Sequence, residues 1–334
     1  MDKLILALFK PQDKLKVSTL YQLLSGKRTM AVLTYGYFYD CLHLVGLLKK
    51  LSQTDYQKNI QQLIDKNLLL EEAGYLWLSE LGQQQQEQKL IEYLATIEMY
   101  RYGRNSQEMW RMVQFLVQVT SNFGRQKQYI PLETAPQYTE KLRQLVRHYQ
   151  TELPELVYQE LVAVFNQIAP VQADFLAATF SGYDYEGQVP YQLFAANISN
   201  IEQHLFLLSS THQFFQQIDW QSNSVLTQSL TPFLIRNQNQ SMQASRALFL
   251  QGASVTDVMR VRRLKEGTVV DHLLEWALSD ASFPFATYLP ATIITQCQQL
   301  AGDFRYWKYQ EIQERFPIKF WEFRLFQIWQ KRGG

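Results

Sequence analysis

Three short runs of apolar residues at helical spacing lie between Ser241 and Leu278, separated by residues that begin or end helices. Ser241 and Ser254 are each placed to cap a helix, because a serine hydroxyl can accept hydrogen bonds from the first free backbone N–H groups. Gly252 can end the first helix, since glycine adopts the left-handed conformation without strain. This pattern predicts three helices joined by two tight turns, which is the arrangement of a helix-turn-helix.

The third helix of this segment is the one that would enter the major groove of DNA, with the preceding turn beside the phosphate backbone. The sequence predicts that turn at Arg262–Gly267 and places Thr268 as the N-cap of the third helix. The apolar residues of the helix are expected to face inward. Asp271, His272 and Glu275 are expected on its more exposed faces.

Positive charge is concentrated around the predicted second turn, where cations can neutralise phosphates. The predicted DNA-binding residues are Arg260, Arg262, Arg263, Lys265, Thr268 and His272. A charge run is often only a solvated surface, and a single histidine on a helix is more often a surface or core residue than a base contact. Both alternatives remain open from the sequence.

The same segment resembles the helix-turn-helix appended to some RecQ-type DNA helicases. The resemblance lies in residues 252–259, in Arg263-Leu264 and in residues 267–273. The chain is also similar, there and in Leu24-Ser-Gly-Lys-Arg-Thr and residues 51–63, to the YpbB-like RecQ-associated helix-turn-helix proteins of low-GC Gram-positive bacteria. This resemblance implies an accessory role beside a RecQ-like helicase.

Residues Ser18–Gly82 are typical of a winged helix, with three amphipathic segments followed by two short apolar strands. A turn at Glu71–Gly74 separates the strands and forms the expected wing. The last helix before the wing is close to neutral, and two glutamates at the wing tip would repel phosphates. We therefore expect this module to contact protein, although a helical domain with a simple β-hairpin is the alternative.

The expected fold class is mainly α, in three modules. These are a winged-helix-like module over residues 1–88, a helical middle region over 89–235 and a helix-turn-helix module over 236–334. Within the middle region, Gly124, Pro131 and Pro136 mark a linker in which Arg125 and Lys127 are expected to be exposed.

The stretch from Pro290 to Arg332 combines many aromatic residues with interleaved arginines and lysines. Aromatic faces can stack on the bases of a single strand while cations follow its backbone. The helical spacing instead places most of these rings on apolar faces, so we predict that Trp307, Trp321 and Trp329 are core residues. Stacking on nucleic acid is the alternative.

Composition limits the remaining classes of function. The formal net charge of the 334 residues is only +1, so affinity for nucleic acid must come from local patches. No catalytic motif or metal-ligand spacing occurs, so neither catalysis nor a cofactor or metal is expected. Cys41 and Cys297 are predicted as core thiols of a cytoplasmic protein, and no apolar run is long enough to cross a membrane.

The predicted function is a non-catalytic accessory factor of DNA repair or recombination. It would bind duplex or forked DNA weakly through the C-terminal module and act with a RecQ-like helicase, a partner that the resemblance implies. A DNA-binding transcription regulator and a protein-interaction scaffold without DNA binding are the alternatives.

Overall fold

The computed structural model describes residues 1–125 and 128–333, and Lys127 of the predicted linker lies outside them. The fold is mainly helical with one small antiparallel sheet, as predicted. The helices are α1 (Asp2–Ala7), α2 (Val17–Leu24), α3 (Met30–Phe38), α4 (Gln53–Asp65), α5 (Glu80–Gln84), α6 (Gln88–Thr96), α7 (Ser106–Ser121), α8 (Pro136–Tyr149), α9 (Leu153–Phe165), α10 (Pro170–Ala177), α11 (Asn200–Gln216), α12 (Val225–Asn237), α13 (Gln240–Leu250), α14 (Val255–Arg262), α15 (Glu266–Ser279), α16 (Phe285–Tyr288), α17 (Ala291–Cys297), α18 (Tyr309–Gln313) and α19 (Phe320–Lys331). The strands are β1 (Leu15–Lys16), β2 (Leu69–Glu72) and β3 (Tyr75–Leu78). Short 3₁₀ helices cover Leu42–Leu44, Gln150–Glu152, Pro190–Gln192 and Phe304–Tyr306.

The chain folds into two compact units, each built from two separate stretches of sequence. Unit 1 comprises Met1–Lys16 and Lys50–Gln238, and unit 2 comprises Val17–Lys49 and Asn239–Gly334. Residues 17–49 of the first predicted module thus group with the C-terminal residues. The three modules stay a prediction about domain boundaries.

The small sheet of unit 1 contains the predicted hairpin. β2 and β3 pair antiparallel, with Leu70 opposite Trp77, and β1 pairs with the other edge of β3. Ala73 and Gly74 both have positive φ angles, 50° and 80°, which suit the tight turn of a two-residue hairpin. The hairpin follows α4 directly, and α4 is capped by Ser52, whose Oγ accepts from the Asp55 N–H at 3.0 Å.

The larger core of unit 1 lies among the middle helices. α7 contributes a buried face that includes Met109, Met112 and Leu116, and this face packs against α9 and α12. Phe214 and Phe215 of α11 are fully buried in the same core. His212, on the same helix, is also fully buried, and its Nδ1 accepts a hydrogen bond from the Glu98 N–H at 2.9 Å.

The centre of unit 2 is α15, which packs against α3, α13, α14 and α19. From Val269 to Leu278 every residue of this helix except Asp271 is buried. A helix segment that is buried on nearly all of its faces belongs to a core, so this part of α15 forms the centre of the core of unit 2. No helix in the described ranges is both long enough and apolar enough to span a membrane.

The aromatic residues of the C-terminal stretch are divided between core and edge. Phe323 and Phe326 of α19 are fully buried, whereas the predicted core residues Trp307, Trp321 and Trp329 are only partly buried. The difference arises because Phe323, Phe326 and their aliphatic neighbours occupy the middle of the buried face of α19. The Trp307 and Trp329 rings both lie against the Phe326 ring.

Candidate nucleic-acid interface

The first two helices of the predicted helix-turn-helix begin at polar residues whose side chains accept from backbone N–H groups. Ser254 caps α14 as predicted, with its Oγ accepting from the Asp257 N–H at 3.1 Å and the Asp257 carboxylate accepting from the Ser254 N–H at 3.2 Å. Gly252 has a φ of 87°, which confirms the predicted left-handed end of α13. The start of α13 differs from the prediction, because Asn239 and not Ser241 provides the cap.

The turn between α14 and α15 is shorter than the sequence predicts. Arg263 takes the left-handed conformation directly after α14, and Lys265 is already the N-cap of α15. The prediction of Thr268 as N-cap is therefore wrong, since Thr268 lies in the first turn and its N–H bonds to the Lys265 carbonyl at 3.0 Å. No glycine marks this turn, so the sequence pattern placed it too far along the chain.

Four of the predicted DNA-binding residues lie exposed around this turn: Arg260, Arg263, Lys265 and Thr268. Arg260 forms an ion pair with Asp257 at 2.8 Å, and the Arg260 side chain remains largely in water. Arg263 and Lys265 make no side-chain hydrogen bond or ion pair within the described part of the chain. Their charges are therefore available to a ligand.

The start of α15 adds an anion-attracting group to this surface. The first N–H groups of a helix have no partner inside it, and the Lys265 side chain does not cap them. The aligned peptide dipoles also place partial positive charge at this end. A Cβ built on Gly267 would meet nothing within 4 Å, so a phosphate can approach the backbone closely there.

Arg262, in contrast, is used inside the fold. Its guanidinium donates to the Ser241 carbonyl, to the Ser241 Oγ at 3.2 Å and to the Ser245 Oγ at 2.7 Å. These bonds join the end of α14 to α13. Arg262 therefore lies beside the exposed surface, but its N–H groups form hydrogen bonds that join α14 to α13.

His272 is also an internal residue. It is 6% exposed, and its Nδ1 lies 2.8 Å from the Oγ of the fully buried Ser245. The same Oγ accepts from the Arg262 guanidinium at 2.7 Å, so Ser245 lies between the two side chains and bonds to both. Burial and, secondarily, the Arg262 charge lower the pKa of His272, so the ring is neutral. The expectation that His272 lies on an exposed face is wrong.

Glu275 departs from the prediction in the same way. It is 8% exposed, and its Oε2 accepts from the Asn239 Nδ2 at 2.7 Å. Asn239 and Ser245 both join α13 to α15, and neither role was predicted from the sequence. Asn239 could have been found from its position one residue before a helix, where asparagine is a common cap. Ser245 could not, because a serine within an apolar stripe gives no sign of a buried polar contact.

Negative charge accompanies the cations on this surface. Glu266 and Asp271 are the exposed carboxylates of α15, and the neighbouring protein partly desolvates the Asp271 carboxyl and raises its pKa. Beyond Asp271 the helix is covered until Ser279, so only its first turns reach solvent. The surface can thus offer Arg263, Lys265 and backbone N–H groups to a phosphate, but few side chains to the edges of bases.

Other chemistry in the described ranges is sparse. No group of three histidine, cysteine or acidic side chains in them could hold a metal ion. Cys41 and Cys297 are both buried free thiols, which agrees with their prediction as core residues. Burial raises the pKa of Cys297 to about 11, so its thiolate is disfavoured.

Comparison with known proteins agrees with this geometry. Residues 241–327 match the family model of a helix-turn-helix domain. The chain is 21% identical to Protein YpbB of Bacillus subtilis (strain 168) over 318 residues, which is 92% of this chain and 90% of that protein. No solved structure is significantly similar. The predicted resemblance is confirmed: the chain is similar to a YpbB protein over nearly its whole length and carries a helix-turn-helix domain at its C-terminal end.

Proposed function

We propose that this protein is a non-catalytic DNA-binding accessory protein that holds phosphates on the exposed turn between α14 and α15. The observation that carries the proposal is the pair of unpartnered cations, Arg263 and Lys265, beside the uncapped N-terminus of α15. In helix-turn-helix domains this turn lies along the DNA backbone. Arg260 and the hydroxyl of Thr268 extend the same surface.

The proposed interaction is mainly with the backbone of DNA and only weakly with its sequence. Phosphate contacts position a protein on DNA, whereas base-edge contacts provide sequence specificity. Because α15 is buried beyond its first turns and His272 is internal, few side chains are available for base edges. This supports an accessory protein over a transcription regulator, which needs sequence readout. It also predicts weak, salt-dependent affinity for duplex or forked DNA.

We further propose that the protein acts with a RecQ-like helicase in DNA repair or recombination. This proposal rests on the resemblance to the RecQ-associated helix-turn-helix proteins described above. The exposed glutamates of the hairpin, Glu71 and Glu72, support a protein-contacting role for that part of unit 1, since they would repel a phosphate backbone. Purification of the protein from cells should recover the helicase, and its absence from repeated purifications would refute the partnership.

The DNA contact is tested with the full chain carrying Arg263→Ala and Lys265→Ala together. Each phosphate neutralised contributes about −0.9 to the slope of log affinity against log salt, so two lost contacts should flatten the slope by about 1.8. Duplexes of unrelated sequence should lose affinity equally. The matched control is Arg143→Ala with Arg147→Ala, which removes the same charge from exposed positions on α8 of unit 1.

The outcomes separate the three functions. An unchanged slope in the Arg263/Lys265 variant, or an equal effect of the α8 control, would refute the proposed surface. Binding confined to one sequence would indicate a transcription regulator. If the parent chain shows no salt-dependent binding to DNA, the protein is better explained as a protein-interaction scaffold.

A further inference from the structure

Unit 2 contains a cleft that the proposed phosphate surface does not use. Its volume is about 530 Å³, and it lies between the end of α3, the end of α17, the segment that follows α17, and α19. Pockets for small molecules typically measure about 300–1,000 Å³. The cleft is thus large enough for one flat ring system.

Four aromatic rings contribute to the lining of this cleft, which is otherwise mainly polar. Phe304 meets Phe38 edge to face at 5.3 Å, and Trp307 stacks on Phe326 at 6.2 Å with an angle of 11° between the rings. Phe326 is fully buried and Trp307 is partly exposed, so the tryptophan is the ring that a ligand can reach.

The segment that carries Phe304 and Trp307 is held in place by hydrogen bonds. The Trp307 Nε1 donates to the Ala301 carbonyl at 2.9 Å, and the Nε2 of the fully buried Gln327 donates to the Phe304 carbonyl at 2.5 Å. A preformed wall of this kind costs little entropy when a ligand stacks on it.

The polar groups of the cleft favour a neutral ligand. Arg305 pairs with Asp303 at 2.7 Å, and Lys331 pairs with Asp40 at 2.9 Å, so each cation already faces a carboxylate. A free phosphate would have to compete with those carboxylates. A neutral ring would not.

Two glutamine side chains at the cleft complete the recognition chemistry. Gln298 and Gln330 line it, and neither side-chain amide makes a hydrogen bond within the ranges that the structure describes. An amide offers both a donor and an acceptor, which suits the edge of a nucleobase. Stacking on Trp307 and amide hydrogen bonds together match a flat, neutral ring with mixed donors and acceptors.

We propose that this cleft binds an unpaired nucleobase of single-stranded DNA, stacked on Trp307 and hydrogen-bonded by Gln298 and Gln330. The inference rests on the proposed DNA-binding function and deepens it. Unit 2 would hold duplex phosphates at the α14–α15 turn and an unpaired base in the cleft, so a duplex with a single-stranded tail becomes its preferred ligand.

The test compares the affinity of the full chain for a blunt duplex, the same duplex with a thymidine tail, and the same duplex with an abasic tail. Loss of a stacked base should weaken tail binding about five- to hundredfold. The Gln298→Ala/Gln330→Ala variant should lose about five- to tenfold on the thymidine tail alone. Neither glutamine side chain bonds to the protein, so this change should leave folding intact. The control is Gln299→Ala/Gln313→Ala, which alters exposed amides outside the cleft lining.

Equal affinity for the thymidine and abasic tails would overturn the nucleobase site. An unchanged thymidine preference in the Gln298/Gln330 variant would overturn it as well. Blunt-duplex binding without any preference for a tail refutes this inference alone and leaves the proposed function intact. Absence of all DNA binding by the parent chain would overturn both.

Discussion

Replacing Arg262 by alanine should destabilise unit 2 with only a secondary effect on DNA. Arg262 is part of a chain of hydrogen bonds that runs through Ser245 to His272 and so joins α14, α13 and α15. Without the guanidinium, the buried Ser245 hydroxyl loses its charged donor and the Ser241 carbonyl loses a partner. The neighbouring Arg263, whose side chain has no partner in the described chain, provides the contrast.

The size of the effect follows from those bonds. Hydrogen bonds from a charged donor contribute about 1.5–3 kcal/mol each, and contributions are smaller where water can replace the lost partner. Because Arg262 is partly exposed and only Ser245 is fully buried, we expect a total loss of about 2–3 kcal/mol. Arg263→Ala should change stability by less than about 0.5 kcal/mol, as for an ordinary surface residue. Arg262→Lys should be intermediate, because lysine keeps the charge but lacks the planar fork of donors.

Hydrogen exchange of the α15 amides is the appropriate assay, since a chain of two units need not unfold in one step. A loss of 2–3 kcal/mol corresponds to exchange about 30- to 150-fold faster for amides that exchange through unfolding of unit 2. The reasoning fails if Arg262→Ala and Arg263→Ala accelerate α15 exchange equally. It also fails if Arg262→Ala abolishes DNA binding while α15 stays fully protected.

Four further outcomes are expected. Arg263→Gly should weaken DNA binding yet stabilise the protein by up to about 1 kcal/mol in denaturant titrations, because glycine suits the left-handed turn; destabilisation would contradict that geometry. Burial lowers the pKa of His212 from 6.5 to about 3, so the unfolded state takes up a proton first and stability should fall by at most about 1.4 kcal/mol per pH unit below pH 6.5. His212→Gln should reduce the difference between the free energies of unfolding that denaturant titrations give at pH 7 and pH 5. An unchanged difference would show that other groups cause the pH dependence. Thermal unfolding should show Trp329→Ala costing about 1–3 kcal/mol and Phe326→Ala about 3–5, and equal costs would contradict their difference in burial. Removing residues 1–82 deletes α3 from the side of α15 and should accelerate α15 exchange, whereas unchanged protection would show that the C-terminal residues fold alone.

The predictable part of the structure depended on local signals. Ser254 and Asp257 lie three residues apart and form the capping box that such spacing favours, and Gly252 ends α13 as predicted. The hairpin around Ala73 and Gly74 was equally visible, because its turn lies between two short apolar strands. In each case the residues that determine the feature are neighbours in sequence.

The unpredicted part depended on contacts between distant residues. His272 and Glu275 are polar and sit at positions that helical periodicity assigns to an outer face, yet Ser245 and Asn239 on another helix satisfy both inside the fold. Periodicity separates one buried face from one exposed face, and it fails for a helix surrounded by neighbours. The early turn at Arg263 was also hidden, since a non-glycine residue adopts the left-handed conformation there.

The position of α15 also predicts that the helix-turn-helix segment is not a complete folding unit by itself. α3, from the N-terminal part of the chain, packs on α15, and Arg332 fastens the same region by donating to the Tyr37 hydroxyl at 3.1 Å. Arg332 also donates to the carbonyls of Ala277, of Asp280 at 2.9 Å and of Ala281 at 3.2 Å, which supplies partners at the C-terminal end of α15. The matched segment, residues 241–327, includes neither Arg332 nor α3. Residues from both ends of the chain therefore complete the core that holds the exposed turn in place, and a fragment cut to the matched segment would lose the support of the proposed DNA surface.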